Sequence, residues 1–259
     1  MPRLALICPV HNCPEYTQAM LASVTFFENK LKIYIIDNGS TEQNSQALMK
    51  MMHKVNFSYI PFFFNHGVAS AWNRGITAAI SDNIDYYLIT NNDVVFRDDT
   101  LINLFTHYTT NHVDLLSAYN IHKQYPLKLL NSLKPIDRVH QSVDFSCFMM
   151  DNRVIDKIGY FDENFFPAYF EDNDYHARLW FADMHSYTTQ MALYYHYGSV
   201  TNQSVPLHIC QLSQYQANQK RFVAKWGHLP VQNADQARKH YFQHPFNNPL
   251  YSLKDCPKE

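Results

Sequence analysis

Between Leu4 and Asp93, short apolar runs rich in β-branched residues alternate with stretches whose apolar residues recur at helical spacing. A chain patterned this way folds as repeated βαβ units, with a mostly parallel sheet between layers of helix. Strands are expected at 4–9, 32–37, 57–63 and 86–90, and helices at 16–27, 41–54 and 68–81. The run Ile33-Tyr34-Ile35-Ile36 is too apolar for a surface strand and belongs at the centre of the sheet. Asn38-Gly39-Ser40-Thr41 supplies a turn and an N-cap for the helix after it. Beyond Asp93 the rhythm loosens. A helix is expected at 99–109, strands at 114–118, 143–150 and 187–196, and helices at 172–182 and from Pro206 to about Trp226. Residues 120–140 carry Pro126 and Pro135 without a clear period, as a functional or mobile loop would.

Composition narrows the class. The chain is 46% hydrophobic, with 18 Phe and 18 Tyr, which is enough for a large aromatic core. A net charge of −2 with scattered Lys and Arg argues against a nucleic-acid groove and gives no basic amphipathic face for a membrane surface. The five cysteines are odd in number and form no Cys-x-x-Cys pair, so neither a zinc site nor a disulfide framework is expected. Free thiols suit a reducing compartment. The first apolar run stops at Pro9, too soon for a signal sequence, and no stretch approaches the length of a transmembrane helix. The expected location is cytoplasmic.

The chemistry-bearing motifs fall where strands end: Pro9-Val10-His11-Asn12, Asp37-Asn38-Gly39-Ser40-Thr41, Asn65-His66-Gly67 and Asn91-Asn92-Asp93. Open α/β sheets bind ligands in the crevice outside the carboxyl ends of their strands. Each motif alone is ordinary turn chemistry. Their succession along one sheet edge is harder to explain as turns.

The ordered set resembles the family 2 glycosyltransferases, which have the GT-A fold. The resemblance continues through Val68-Ala69-Ser70-Ala71-Trp72-Asn73-Arg74-Gly75-Ile76, Phe170-Glu171-Asp172-Asn173-Asp174, His196-Tyr197-Gly198-Ser199 and Lys225-Trp226-Gly227. It covers roughly residues 4–227. It implies a GT-A domain over 1–204, with a nucleotide-binding half (1–98) and an acceptor and catalytic half (99–204). A helical C-terminal extension over 205–259 completes the chain.

What the resemblance implies is an inverting transferase that moves a sugar from a nucleotide-diphosphate donor, UDP- or dTDP-linked, to a carbohydrate or glycan acceptor. Asn91-Asn92-Asp93 matches the metal-binding Asp-x-Asp region, with Asp93 as carboxylate ligand and His196 as the histidine that reaches metal or diphosphate. The ion expected is Mn²⁺ or Mg²⁺. Its charge would meet that of the departing diphosphate. Asn91 and Asn92 replace acids of the family pattern, which leaves one carboxylate at the metal, but both are expected to bind the donor, by hydrogen-bonding a ribose or giving a carbonyl oxygen to the metal. Asn-Asn-Asp is similar to a variant of bacterial rhamnosyltransferase-like members and points toward a deoxysugar donor.

Pro9, Val10 and His11 would lie beside the base, and Asp37 would meet base or ribose. Asn65 and Asn73 would bond the nucleotide, and Gly67 would let the backbone approach it closely. Asp172 is the expected general base, with Glu171 beside it at a helix N-terminus whose dipole favours ionised carboxylates. Residues 165–170, largely aromatic, would wall a sugar cleft. Asp174 and Arg178, four residues apart, share a helical face and would orient the site. Two other readings compete. A sugar nucleotidyltransferase would carry a glycine-rich basic loop near the N-terminus, which the first turn lacks. An inactive nucleotide-sugar-binding relative would fit the weakened metal motif but not an intact Glu171-Asp172 and His196.

Overall fold

The computed structural model describes residues 3–26, 30–141, 143–198 and 208–231. The strands are β1 (Leu4–Val10), β2 (Leu31–Asn38), β3 (Ser58–Phe62), β4 (Tyr86–Thr90), β5 (Val94–Phe96), β6 (Leu115–Asn120), β7 (Val139–His140), β8 (Cys147–Asp151) and β9 (Ser186–His196). The helices are α1 (Pro14–Ala22), α2 (Glu42–Met51), α3 (Val68–Ser81), α4 (Thr100–Asn111), α5 (Asn152–Ile158), α6 (Glu171–Phe181) and α7 (His208–Trp226). A 3₁₀ turn spans Leu127–Ser132.

All the strands join one sheet in the order β3-β2-β1-β4-β8-β6-β9-β5, with β7 beside β9. From β3 to β4 the pairing is parallel, as the βαβ rhythm predicts. Beyond β4 it is mixed, because β8 runs antiparallel to both β4 and β6 while β6 and β9 are parallel. In β1, Leu4, Leu6, Cys8 and Val10 face one apolar layer and Ala5 and Ile7 the other. Successive side chains leave a strand on opposite faces, so a strand covered by helices on both sides must be apolar throughout. β1 is buried at every position, and β2 from Ile33 onward.

The elements expected from the sequence are present with ends shifted by a few residues, and the departures have local causes. α1 stops at Ala22, five residues before the expected end. β8 begins at Cys147 because Asp144 and Ser146 form a tight turn before it. β5 and α5 are too short for periodicity to reveal. Residues 120–140 are not an open loop: Ile121 and Leu130 are buried in an apolar cluster with Leu193. The expected domain boundary at 204, the first residues of the last expected helix and most of the polar tail lie outside the described residues.

Gly75 shows how closely α3 lies on the sheet. A Cβ built there would sit 2.2 Å from Ile7 Cγ2, so only a residue without a side chain allows this contact. Gly75→Val should therefore destabilise the fold by about 1–3 kcal/mol through overpacking. Adding Ile7→Ala should return part of the loss, as read by urea unfolding.

Candidate active site

The turns at the carboxyl ends of β1, β2 and β3 are laced together by short polar side chains. Asn38 Nδ2 donates to Asn65 Oδ1 at 3.2 Å and to Gly67 O at 3.1 Å, while Asn38 Oδ1 accepts from His66 N at 2.9 Å. His11 Nδ1 lies 2.9 Å from Asn38 O. Asn12 Oδ1 accepts from Thr41 N at 3.0 Å and from Asn44 Nδ2 at 2.9 Å, and Asn12 N donates to Ser40 Oγ at 2.8 Å. Pro9 and Val10 are buried, so only their main chain is available to a ligand. Asn38 and Asn12 were not singled out as site residues from the sequence. Their signal was their place in the strand-end motifs.

Two expected donor contacts take other parts. Asp37 is 1% exposed, and its carboxylate accepts from Ser40 N at 3.0 Å, from Ser45 Oγ at 2.5 Å and from the Tyr59 hydroxyl. Those bonds fix the turn and leave little of the group for a base or ribose. Asn73 is 3% exposed and bridges α3 to the segment before α6. Its Nδ2 donates to Phe161 O at 2.9 Å and Glu163 Oε1 at 2.8 Å, and its Oδ1 accepts from Phe161 N at 2.9 Å. Its amide is spent within the fold, so a nucleotide contact is not supported. Gly67 has φ +89°, and what approaches it is the 166–167 loop: a Cβ there would lie 3.1 Å from Pro167 O.

The next turn brings distant residues together. Asp93 Oδ1 and His196 Nε2 lie 3.0 Å apart, and Asn91 Nδ2 is 3.4 Å from the same nitrogen. The pairing of β5 with β9 makes this contact by setting Val94 opposite His196. Burial pulls the His196 pKa down, but the hydrogen bond and charge of Asp93 outweigh it and leave the imidazole above its ordinary value. Asn92 turns away, its Nδ2 donating to Thr17 Oγ1 of α1 at 3.2 Å.

No group of three or more His, Cys, Asp or Glu that could hold a metal occurs among the described residues. The donor set still suits an ion held by few protein ligands. A carboxylate oxygen and an imidazole nitrogen converge, with an amide beside them. Small divalent cations keep much of their shell for water and phosphate oxygens.

Glu171 and Asp172 open α6. Glu171 is buried, and its Oε2 has no hydrogen-bond partner among the described residues. Burial first, and then the charge of Asp172, push its pKa well above the ordinary value. Asp172 is half-buried and accepts from Asn173 N at 2.7 Å. Burial raises its pKa, backbone donors recover part of the shift, and Asp144 adds to the rise. The same Asp144 contributes to the upward shift of His196. Asp144 Oδ1 is pinned by Ser146 N at 2.9 Å. It falls within the strand expected at 143–150, and no motif marked it.

Below Asp172 lies a buried ionic network. Asp174 and Arg178 have no exposed side-chain surface, and Asp174 Oδ2 takes Arg178 Nε at 3.0 Å. Asp174 Oδ1 accepts from Trp226 Nε1 at 2.8 Å and pairs with Lys225 Nζ at 2.8 Å. Lys225 also reaches Asp162 at 2.7 Å. The expected aromatic wall is divided. Phe165 and Phe170 are core residues beside Phe222 and Trp226, while Phe166 and Tyr169 are exposed.

Residues 5–158 match the family described as Glycosyl transferase family 2, more than half of the chain. The chain belongs to glycosyl transferase family 2. A curated relative, the low-salt glycan biosynthesis hexosyltransferase Agl10 of Haloferax volcanii, is 24% identical over 160 residues. That match covers 53% of this chain, which spans about half (50%) of the relative's length. Among solved structures, S. aureus TarS 1–349 in complex with UDP-GlcNAc is similar with TM-score 0.64 at 14% identity, over 93% of this chain and 73% of that one. The mannosyltransferase PcManGT from Pyrobaculum calidifontis, in complex with GDP-Man and Mn²⁺, gives 0.63 at 17%, over 94% and 70%. The fold is that of the GT-A glycosyltransferases. The family match ends before α6 and β9, so Glu171, Asp172 and His196 rest on the geometry.

Asp93→Ala and His196→Ala should each weaken manganese-dependent UDP binding by about tenfold or more, or about 1.4 kcal/mol. Titration calorimetry with and without manganese reads this. Unchanged affinity in manganese would place the ion elsewhere.

Proposed function

We propose that this chain is an inverting glycosyltransferase that moves a sugar from a nucleotide-diphosphate sugar to an acceptor hydroxyl in glycan or polysaccharide synthesis. The observation that carries the reading is the contact of Asp93 with His196 just beyond β4 of a family 2 sheet, with the half-buried Asp172 at the start of α6. Solved structures similar to this chain in complex with UDP-GlcNAc and with GDP-Man, and a hexosyltransferase relative, support a sugar-nucleotide donor. A UDP- or dTDP-linked sugar is the donor proposed, a deoxysugar being favoured by Asn91-Asn92-Asp93. The acceptor is a carbohydrate or glycan. No helix among the described residues is long and apolar enough to cross a membrane.

Asp172 accepts the proton of the acceptor hydroxyl, whose oxygen forms a bond to C1 of the sugar. The bond from C1 to the diphosphate oxygen breaks on the opposite face, and its electron pair leaves with the nucleoside diphosphate. Glu171 is the weaker candidate for that role, because burial and the charge of Asp172 push its pKa well above the ordinary value. Asp93 and His196, with Asn91 beside them, would hold Mn²⁺ or Mg²⁺, which supplies positive charge against the departing diphosphate. Holding two substrates in line supplies much of the acceleration. His11, Asn65 and Gly67 belong to the laced turns that would receive the nucleotide, beside the main chain of Pro9 and Val10.

Nucleotide release from a panel of UDP-, dTDP- and GDP-sugars, with and without manganese, tests the reading. Turnover supports it, whereas nucleotide-dependent thermal stabilisation without turnover would favour a binding protein. Asp172→Asn should keep donor binding and lower kcat by about a hundredfold or more. Transfer at the wild-type rate would remove Asp172 from the role. The pH dependence follows from the raised Asp172 pKa. The base works ionised, so kcat should fall as pH drops through a value above the ordinary carboxylate range, and a pH–rate profile locates that limb.

A further inference from the structure

We propose that Asn218, on the last described helix and outside the family motifs, is a positioning residue that holds the loop before Asp172 in its working geometry. The proposal rests on Asp172 being the base. Asn218 is fully buried, and its Nδ2 faces three backbone carbonyls of one loop: Phe166 O at 3.1 Å, Ala168 O at 2.9 Å and Tyr169 O at 3.2 Å. Its Oδ1 accepts from Arg221 Nη1 at 3.0 Å, which fixes which end of the amide faces the loop.

The loop needs such a partner. Tyr169 and Phe170 are consecutive non-glycine residues at φ +76° and +74°. For residues with a Cβ the left-handed region costs about 1–2 kcal/mol each and persists only when the surroundings over-determine it. This backbone leads directly into Glu171 and Asp172, and Phe170 O already receives Asp174 N at 2.9 Å in the first turn of α6. The path of the loop therefore sets where the carboxylate of Asp172 points.

Anchoring α7 does not account for this amide. Trp226 and Lys225 already tie the helix to Asp174 and Asp162. Asn218 is also buried on the helix that contributes Phe222 and Trp226 to an apolar cluster, where a hydrophobic side chain would satisfy packing alone. Its amide donors are spent on the loop. On its other side the loop meets the donor turns, since Val68 N donates to Pro167 O at 2.9 Å. Residues 166–170 thus run from the turn that would receive the nucleotide, across the Asn218 clamp, to the base. Loss of the clamp should disturb the base and leave the nucleotide turns intact.

Full-length Asn218→Ala tests this beside the wild type and Asp172→Asn, using UDP with manganese for binding and the sugar nucleotide turned over in the donor panel for rate. In Asn218→Ala, kcat should fall by about tenfold or more while UDP affinity stays within about twofold. The carbon-13 NMR titration of Asp172 should move down toward the ordinary carboxylate range as the loop opens to water. An unchanged Asp172 titration, or equal losses in UDP affinity and kcat, would overturn the proposal. A wild type without turnover on every donor, or full activity in Asp172→Asn, would overturn the proposed function instead, and the Asp172 titration would still judge the clamp. Should Asn218→Ala fail to fold, hydrogen exchange on the wild type decides. Matching protection of amides 168–172 and 215–222 supports the clamp, and a loop about tenfold less protected overturns it.

Discussion

Asp174 carries a carboxylate with no exposed surface two residues after the candidate base. An isolated ion in that position would cost several kcal/mol, and breaking a buried pair costs about 3–5 kcal/mol. The chain answers from two sides. Arg178 approaches from the next turn of the same helix and spends Nη1 on Ile158 O at 2.7 Å and Tyr160 O at 2.8 Å. Trp226 and Lys225 approach from α7, and Lys225 reaches Asp162 as well. Satisfying one carboxylate therefore obliges α7 to dock, the 158–162 segment to fold over the guanidinium, and α6 to keep its register. The position of Asp172 follows from that arrangement, and the loop ahead of it is then held by Asn218.

Burial also sets the electrostatics of the acids that open α6. A helix N-terminus favours a carboxylate by about 0.3–1 kcal/mol, so the acids that open α6 would be expected to remain readily ionised. Withdrawal from water acts in the opposite direction and reaches several pKa units for fully buried groups. At Glu171 burial wins outright, and at Asp172 it wins against backbone donors that recover only part of the shift. Two adjacent carboxyls are thereby both shifted upward, Glu171 the more strongly. At His196 the balance reverses, because Asp93 holds the imidazole above its ordinary pKa in spite of burial.

The edge at the carboxyl ends of β1, β2 and β3 follows a different rule. Hydrogen bonds from Asn12, His11 and Asn38 tie successive turns to one another. A rigid edge of this kind presents main-chain groups to a ligand without reorganising. It also consumes side chains that the motifs alone would offer to the ligand, Asp37 most clearly.

The alternation of strand and helix, the strand-end turns and the acids at the start of α6 were legible in the sequence, because each depends on neighbours within a few residues. Period and turn chemistry are local properties, and they placed α3 and β4 to the residue. What each polar side chain does in the fold was not legible. Asn73 finds its partners 88 and 90 residues away, His196 meets Asp93 across 103, and Asn218 reaches back about 50 to the loop it holds. The order in which β8, β6 and β9 insert beyond the parallel half decides those meetings. It is set by which apolar faces can be buried together, a property of the whole chain that no short window contains.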